Sequence, residues 1–555
     1  MRQYKFAVGL LSAAILAGCG GGSGSAGNQS TKIQFTSQVT FGDSLSDVGS
    51  YAVGDVAALG GGKYTVNSIP ASPQNWTELM AESLGLPAPC AAQTGLDGFS
   101  DAILSSQPSL APLAALSPDG FAVPTVNHAG CYGYAQGGSR VTLPYGPGNA
   151  LLSTTLGGSP ILGQLTLPVQ AQIQNHLNAI GGKFSGTEIV FVLAGANDLF
   201  VQYATSAVAA GTAAVGAQVT TQVTANITAQ ATADIQSGTC TPANAQATNC
   251  ATQAEGELWQ ASLGSTAAIT AAVTAQVTAD VGAGTCVPAN AQASNCVAQA
   301  ETELVTAYFG PTGGAATQAE GQLWQASLGS PAAVTAAVTA QVTADVTAGT
   351  CTPTNAQASN CIPQAETELV TAYLTAQATA AGNAAGLSGP GAAAAVAAMQ
   401  TAGQQLAGYV NNMILANGAK YVTVINIPDV GTTPFGNALS APALALVNQM
   451  VLTFNSTLQA GVASSPNVVF VDANAQSHLN TQNPGQYGLT NVTTPACNLS
   501  PAANPLGSSL TCTTNNVISG DISHYMFADS VHPTPYSYSL LAKYIATQMA
   551  VRGWL

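Results

Sequence analysis

Val39-Thr40-Phe41-Gly42-Asp43-Ser44-Leu45-Ser46-Asp47 is the stretch around which the chain is organised. A short apolar run, Val39 and Phe41, reads as a strand. Gly42, Asp43 and Ser44 read as a sharp turn with a serine held at the bend. A serine so placed acts as a nucleophile only where a base and an oxyanion site stand beside it. The rest of the chain must supply both.

With 555 residues, the chain has room for two or more domains, or for one domain with a large insertion. Its apolar fraction of 47% is ample for a core. Only 6% of residues are charged, against about 25% in an average domain. Thr, Ser, Gln, Asn, Ala and Gly must therefore cover the surface. A net charge of -15 with nine Lys and Arg leaves no phosphate-binding face, so no nucleic-acid partner is expected.

The first residues read as a processing signal. Arg2 and Lys5 precede an apolar run from Phe6 to Leu16 that is too short to span a bilayer. Leu16-Ala17-Gly18-Cys19 then looks like a bacterial lipobox, in which the chain is cut before the cysteine and the cysteine is acylated. Residues 1–18 are read as a lipoprotein signal peptide and residues 19–34 as a Gly/Ser-rich tether. The expected setting is a bacterial outer membrane or cell surface, with the membrane as partner through lipidated Cys19; plain secretion is the alternative. Of eleven cysteines, ten then remain. Export favours disulfides, and the order of the cysteines suggests neighbour pairs, Cys90–Cys131, Cys240–Cys250, Cys286–Cys296, Cys351–Cys361 and Cys497–Cys512, although sequence alone does not fix the connectivity. A metal site is the rival reading, but no C-x2-C occurs and histidines do not cluster with the cysteines.

Further along, Gly54 to Tyr64 reads as a glycine-rich loop, Asn75 to Gly85 as a short capped helix, and residues 86–125 as irregular. Thr125 to Gly130 is a candidate second strand leading to Gly137-Gly138. A helix begins at Pro168. Glu188 to Leu193 is a continuous apolar run, expected of a strand buried on both faces. Lys420 to Pro428 and Asn467 to Asp472 repeat that pattern, with a helix around Leu446 to Leu458 and a closing helix from Pro535 to Met549. Strands alternating with helices predict a parallel sheet covered on both faces.

Residues 205–400 interrupt this alternation with internal repeats. Ala251-Thr252-Gln253-Ala254-Glu255-Gly256-Glu257-Leu258-Trp259-Gln260 recurs almost unchanged from Ala316. VTAQVTADV starts at Val273 and again at Val338, with a diverged copy from Ile227, and a C-x9-C loop follows each copy. Apolar residues every fourth position, such as Val334, Val338, Val342 and Val346, predict helices with one apolar stripe. The insert reads either as a spacer or as a lid, since it leaves the sheet at the strands' carboxyl ends, where open α/β sheets bind ligands.

Near the end stands Asp529-Ser530-Val531-His532-Pro533. His532 is a base able to take the serine proton, and Asp529 can orient its ring. Asp521-Ile522-Ser523-His524 has the same spacing but lacks the following proline and helix. His128, His176 and His478 read as core or surface histidines.

Here the chain resembles the GDSL, or SGNH, hydrolase family of esterases and lipases. Gly42-Asp43-Ser44-Leu45, Gly137-Gly138, Gly195-Ala196-Asn197-Asp198 and Asp529-Ser530-Val531-His532-Pro533 resemble four family blocks in order, over about residues 35–204 and 401–555. Thr432-Thr433-Pro434, after Asn426-Ile427-Pro428, resembles a further, less invariant stretch. The resemblance implies a three-layer α/β/α, flavodoxin-like fold with the repeats as a helical insertion. It implies a serine ester hydrolase acting on an ester or lipid substrate, with no cofactor. Ser44 would be the nucleophile, His532 the acid and base, and Asp529 its partner. The oxyanion donors would be the N–H groups of Ser44 and Gly138 and the Asn197 amide, with Gly137 as the alternative glycine. Asp43, Asp47 and Asp198 would hold turns. Related readings are a phospholipase or acyltransferase and a carbohydrate acetylesterase. A non-enzymatic surface adhesion protein using the repeats is the reading from another class.

Overall fold

The protein is seen here as a computed structural model, which describes residues 33–67, 75–97, 120, 122–144, 146–147, 165–238, 248–263, 294–308, 314–348, 351, 361–385, 390–500, 502–504 and 506–555, with scattered positions between 265 and 279. The signal segment, the tether, Cys19 and the two pairs Cys240–Cys250 and Cys286–Cys296 lie outside the described contacts.

The described strands are β1 (Gln38–Gly42), β2 (Gln93–Asp97), β3 (Ala122–Asn127), β4 (Ile189–Leu193), β5 (Tyr421–Ile425) and β6 (Val468–Val471). Four of them form one sheet in the order β1-β4-β5-β6, all parallel. Side chains alternate across the pleat, so each register row serves one face. Val39, Val190, Val422 and Val468 align as one row and enter the larger core. Helices α2 (Val169–Ala179), α9 (Pro390–Tyr409) and α10 (Ala441–Val462) cover that face through Ile173, Leu177, Met399, Leu406, Met450 and Phe454. Phe191 and Val469 point to the opposite core. There α1 (Trp76–Ser83) and α11 (Pro535–Val551) supply Trp76, Met80, Tyr538, Ile545 and Met549. Each such large apolar side chain contributes roughly 1.5–3 kcal/mol on burial. The three α/β/α layers and the parallel sheet are thus those the sequence pattern implied.

The candidate second strand turns out differently. β3 does form, but it pairs antiparallel with β2 in a separate two-stranded ribbon, and β2 itself falls in the stretch read as irregular. What runs beside β1 is the next segment: the Thr40 N–H donates to Tyr132 O at 3.0 Å and the Tyr134 N–H to Thr40 O at 2.8 Å. β3 is mostly exposed, so no apolar row could hold it in the main sheet. Part of the glycine-rich loop is also a short helix, Gly54–Ala58.

After β4 the chain enters α3 (Ala196–Ser237), a single helix of 42 residues. Its start packs in the larger core through Leu199 and Tyr203. Its later part meets the repeats, with Val219 against Ala316 and Ala319. The repeats are helical: α4 (Thr248–Leu263), α5 (Ser294–Tyr308), α6 (Gly314–Leu328), α7 (Pro331–Ala348) and α8 (Ile362–Ala385). Trp259 is buried with Leu263, Val273, Leu304, Val305 and Tyr308. Trp324 is buried with the equivalent Leu328, Val338, Leu369, Val370 and Tyr373. The stripe is incomplete, however. Val338 is buried but Val346 is 39% exposed. Four-residue spacing overshoots a helical turn by about 40° each step, so the stripe drifts out of the interface. Disulfides join Cys90 to Cys131, Cys351 to Cys361 and Cys497 to Cys512, as expected of an exported chain. No helix among the described residues is long and apolar enough to cross a membrane.

Candidate active site

Ser44 stands at the carboxyl end of β1, in a single 3-10 turn, Ser44–Ser46. The Asp43 carboxylate caps that turn by accepting the Leu45 N–H at 3.1 Å. Gly42 must be glycine: its φ is +155°, and a Cβ there would lie 2.1 Å from the Leu193 carbonyl oxygen of β4. Gln172 clamps Gly42 from α2, accepting its N–H and donating to its carbonyl, both at 2.8 Å.

His532 arrives from the other end of the chain. Its Nε2 lies 2.8 Å from Ser44 Oγ. Its Nδ1 lies 2.7 Å from Asp529 Oδ2 and 2.9 Å from Oδ1. Asp529 also accepts N–H groups from Ser509, Val531 and His532 at 2.8–2.9 Å. Burial alone would push its carboxyl up, but the His532 charge and these hydrogen bonds outweigh it and hold it well below the ordinary range. Asp529 therefore stays ionised and fixes the ring with Nδ1–H toward itself, leaving Nε2 to accept the serine proton.

The glycine block crosses over Ser44. The Gly137 N–H is taken by Asp47 Oδ2 at 3.0 Å, and a Cβ on Gly137 would lie 2.2 Å from the Tyr64 hydroxyl oxygen. Gly138, at φ +76°, borders the cavity. Among the described residues, neither the Ser44 nor the Gly138 N–H has a protein acceptor. Asn197, on the first turn of α3, donates one amide N–H to Ser139 O at 2.9 Å, which leaves the other for a ligand. All three donors and His532 border one cavity of about 350 Å³. Its walls are largely apolar, with Phe200, Ile427, Val430, Phe435, Met526 and Leu541 among them.

Several residues of the site were not legible beforehand. Asp198 does more than hold a turn. It accepts the Val141 N–H at 2.9 Å and pairs with buried Arg140 at 3.0 Å, tying the glycine block to α3. The one available signal was an arginine inside the glycine block of a chain with so few cations. Asp47 joins Gly49, Ser50 and Gly137. Burial pushes Asp43 up to about 7 and Asp47 up to about 6, against the hydrogen bonds each accepts. Tyr64 lays its ring 4.8 Å from that of His532, and no sequence signal marked it.

The other histidines stand elsewhere. His524 meets the Ser523 hydroxyl and the Tyr536 ring, and Asp521 accepts the Ser523 N–H rather than orienting His524. His176 is ringed by Phe41, Tyr132, Tyr134 and Phe184, and burial lowers it to about 4. His478 is half-exposed and pairs with Asp429. His128 meets Thr94. Among the described residues, no group of His, Cys, Asp and Glu could hold a metal ion.

Residues 332–545 match the family model described as GDSL-like Lipase/Acylhydrolase. Over these residues the chain is of the GDSL hydrolase family. The matched residues include Asp529 and His532. Ser44, Gly138 and Asn197 precede the match in sequence, and the fold brings them to the same cavity as His532. No curated protein matches the chain.

Proposed function

We propose that the protein is a serine carboxylic-ester hydrolase of the lipase or esterase type, working by two-step acyl transfer through Ser44. The observation that carries this reading is the unbroken chain from Ser44 Oγ to His532 Nε2 at 2.8 Å and from His532 Nδ1 to Asp529 at 2.7 Å. In the first step His532 takes the serine proton as Ser44 Oγ attacks the ester carbonyl. The oxyanion is held by the Ser44 and Gly138 N–H groups and the Asn197 amide, fixed donors that gain strength as the charge develops. The alcohol leaves with the proton from His532. Water, deprotonated by His532, then releases the acid and restores Ser44. The apolar cavity walls support an acyl chain, rather than a sugar, as the group bound beside Ser44.

The layout of residues 1–34 supports export and lipidation at Cys19, with the membrane holding the enzyme near ester or lipid substrates. Among the described residues, none between 201 and 426 lines the cavity, which supports the repeats as a spacer rather than a lid.

A serine-reactive fluorophosphonate probe and a series of p-nitrophenyl esters test the reading. Wild type should label and hydrolyse, and Ser44→Ala should do neither. His532→Ala should lose at least about 10,000-fold in kcat, while His524→Ala stays at the wild-type rate. Labelling that survives Ser44→Ala, or loss with His524→Ala in place of His532→Ala, would overturn it.

A further inference from the structure

Asn67 touches neither Ser44 nor His532, yet the contacts around the acid–base pair converge on it. Its side-chain nitrogen lies 2.9 Å from Lys63 O, 3.2 Å from Thr65 O, 3.2 Å from Ser509 O and 3.0 Å from Cys512 O. Its side-chain oxygen accepts the Lys63 N–H at 3.1 Å. Its backbone N–H donates to Cys512 O at 2.8 Å. The residue is buried, so these partners replace water rather than compete with it.

Two segments are joined in this way, and each holds one side of the dyad. The first, Lys63 to Asn67, carries Tyr64, whose ring packs on His532. It also carries Thr65, whose hydroxyl donates to Pro533 O at 2.9 Å, next to His532. The second, Ser509 to Cys512, carries the Ser509 N–H that donates to Asp529 Oδ2. The Cys497–Cys512 disulfide closes the circuit, because the Cys497 N–H donates to Ala528 O at 2.9 Å, one residue before Asp529. From Asn67 the path runs through Cys512, Cys497, Ala528, Asp529 and His532, then back through Pro533 and Thr65.

We infer that Asn67 is a positioning residue for the acid–base pair: its amide locks the segment packed on His532 to the segment that holds Asp529. The inference rests on the reading of Ser44, Asp529 and His532 as the catalytic groups. Asn67 lines no part of the substrate cavity. Of the two segments it joins, only Tyr64 borders that cavity, so the loss of Asn67 acts chiefly on the geometry of proton transfer. Small displacements of a catalytic group cost up to about 100-fold in rate.

The test is steady-state hydrolysis of a short p-nitrophenyl ester by full-length Asn67→Ala, with fluorophosphonate labelling followed in time. The expected result is a kcat about 10- to 100-fold lower, with KM within about 2-fold of wild type. Labelling should be slow but reach the wild-type stoichiometry, which shows that every molecule is folded and holds a competent Ser44. An unchanged kcat overturns the inference. So does labelling at the normal rate that stops at a fractional stoichiometry, since that marks a misfolded fraction. If Asn67→Ala does not fold, Thr65→Val decides: a several-fold lower kcat at constant KM supports the circuit, and wild-type kinetics overturn it. Wild type that labels through Ser44 beside a kinetically normal Asn67→Ala removes the positioning role alone. Wild type that never labels removes the catalytic reading itself, and this inference with it.

Discussion

The hydrolase core and the repeat region are both built on helices, but they are held together by different kinds of contact. In the core, single contacts have no duplicates. Arg140 meets Asp198 in a buried ion pair, Gln172 clamps Gly42, and Asn67 joins two segments. In the repeats, one contact is used again and again. Gln230–Glu257, Gln276–Glu303 and Gln341–Glu368 are the same hydrogen bond, each spanning 27 residues. Threonines such as Thr220, Thr224, Thr228 and Thr232 all donate to the carbonyl four residues back. A region of equivalent small contacts can lose one and keep its shape. A site that must place a base within hydrogen-bond reach of a nucleophile cannot.

The sharpest way to break this contrast is Asn197→Ala. Loss of one oxyanion donor should lower kcat about 100- to 1,000-fold, read with a p-nitrophenyl ester. A change under threefold would remove Asn197 from the site. Next comes Arg140→Ala, which leaves Asp198 buried without its cation. Urea unfolding should show a loss of about 3–5 kcal/mol, and a surface-like loss below about 0.5 kcal/mol would mean that the pair is not buried in solution.

A third effect depends on pH. Burial raises Asp43 to about 7, so the folded state holds this proton more tightly than the unfolded chain does. Its stabilising share is complete below about 4 and is lost as pH rises through about 7. Asp43→Asn keeps an acceptor for the Leu45 N–H and never ionises. Between pH 5 and pH 8, the variant's stability relative to wild type should therefore rise by at least about 1 kcal/mol. A gap that does not move with pH would contradict the assignment. Smallest of all is Gln341→Ala in the repeats. It should cost under about 1 kcal/mol and leave ester hydrolysis unchanged, and a large effect on either would erase the distinction between the regions.

The parts of this protein that were legible in advance are those written locally. Continuous apolar runs marked β4, β5 and β6 because strands buried on both faces must be apolar throughout. Proline and Asn75 marked helix starts because they suit the first turn. Asp529 and His532 stand three residues apart, and Gly42 to Ser44 are adjacent, so each half of the site appeared in one glance at the chain. β3 misled because a short strand is compatible with any sheet, and only the lack of an apolar row to join keeps it outside the main one. The insert's stripes were read correctly as helical, but a four-residue period does not say where a stripe leaves the interface.

Sequence by itself therefore determined the layer order, the chemical types at the site and the repeated helical units, because periodicity and turn chemistry act over a few residues. Only the tertiary structure decided that Asp47 takes the N–H of Gly137 while Gly138 borders the cavity. It also decided that Asp198 pairs with Arg140, that Tyr64 packs on His532, and that Asn67 ties Ser509 to the Tyr64 segment. These are contacts between positions far apart in the chain. A single sequence shows what each residue can offer but not which distant group the fold will bring within 3 Å of it.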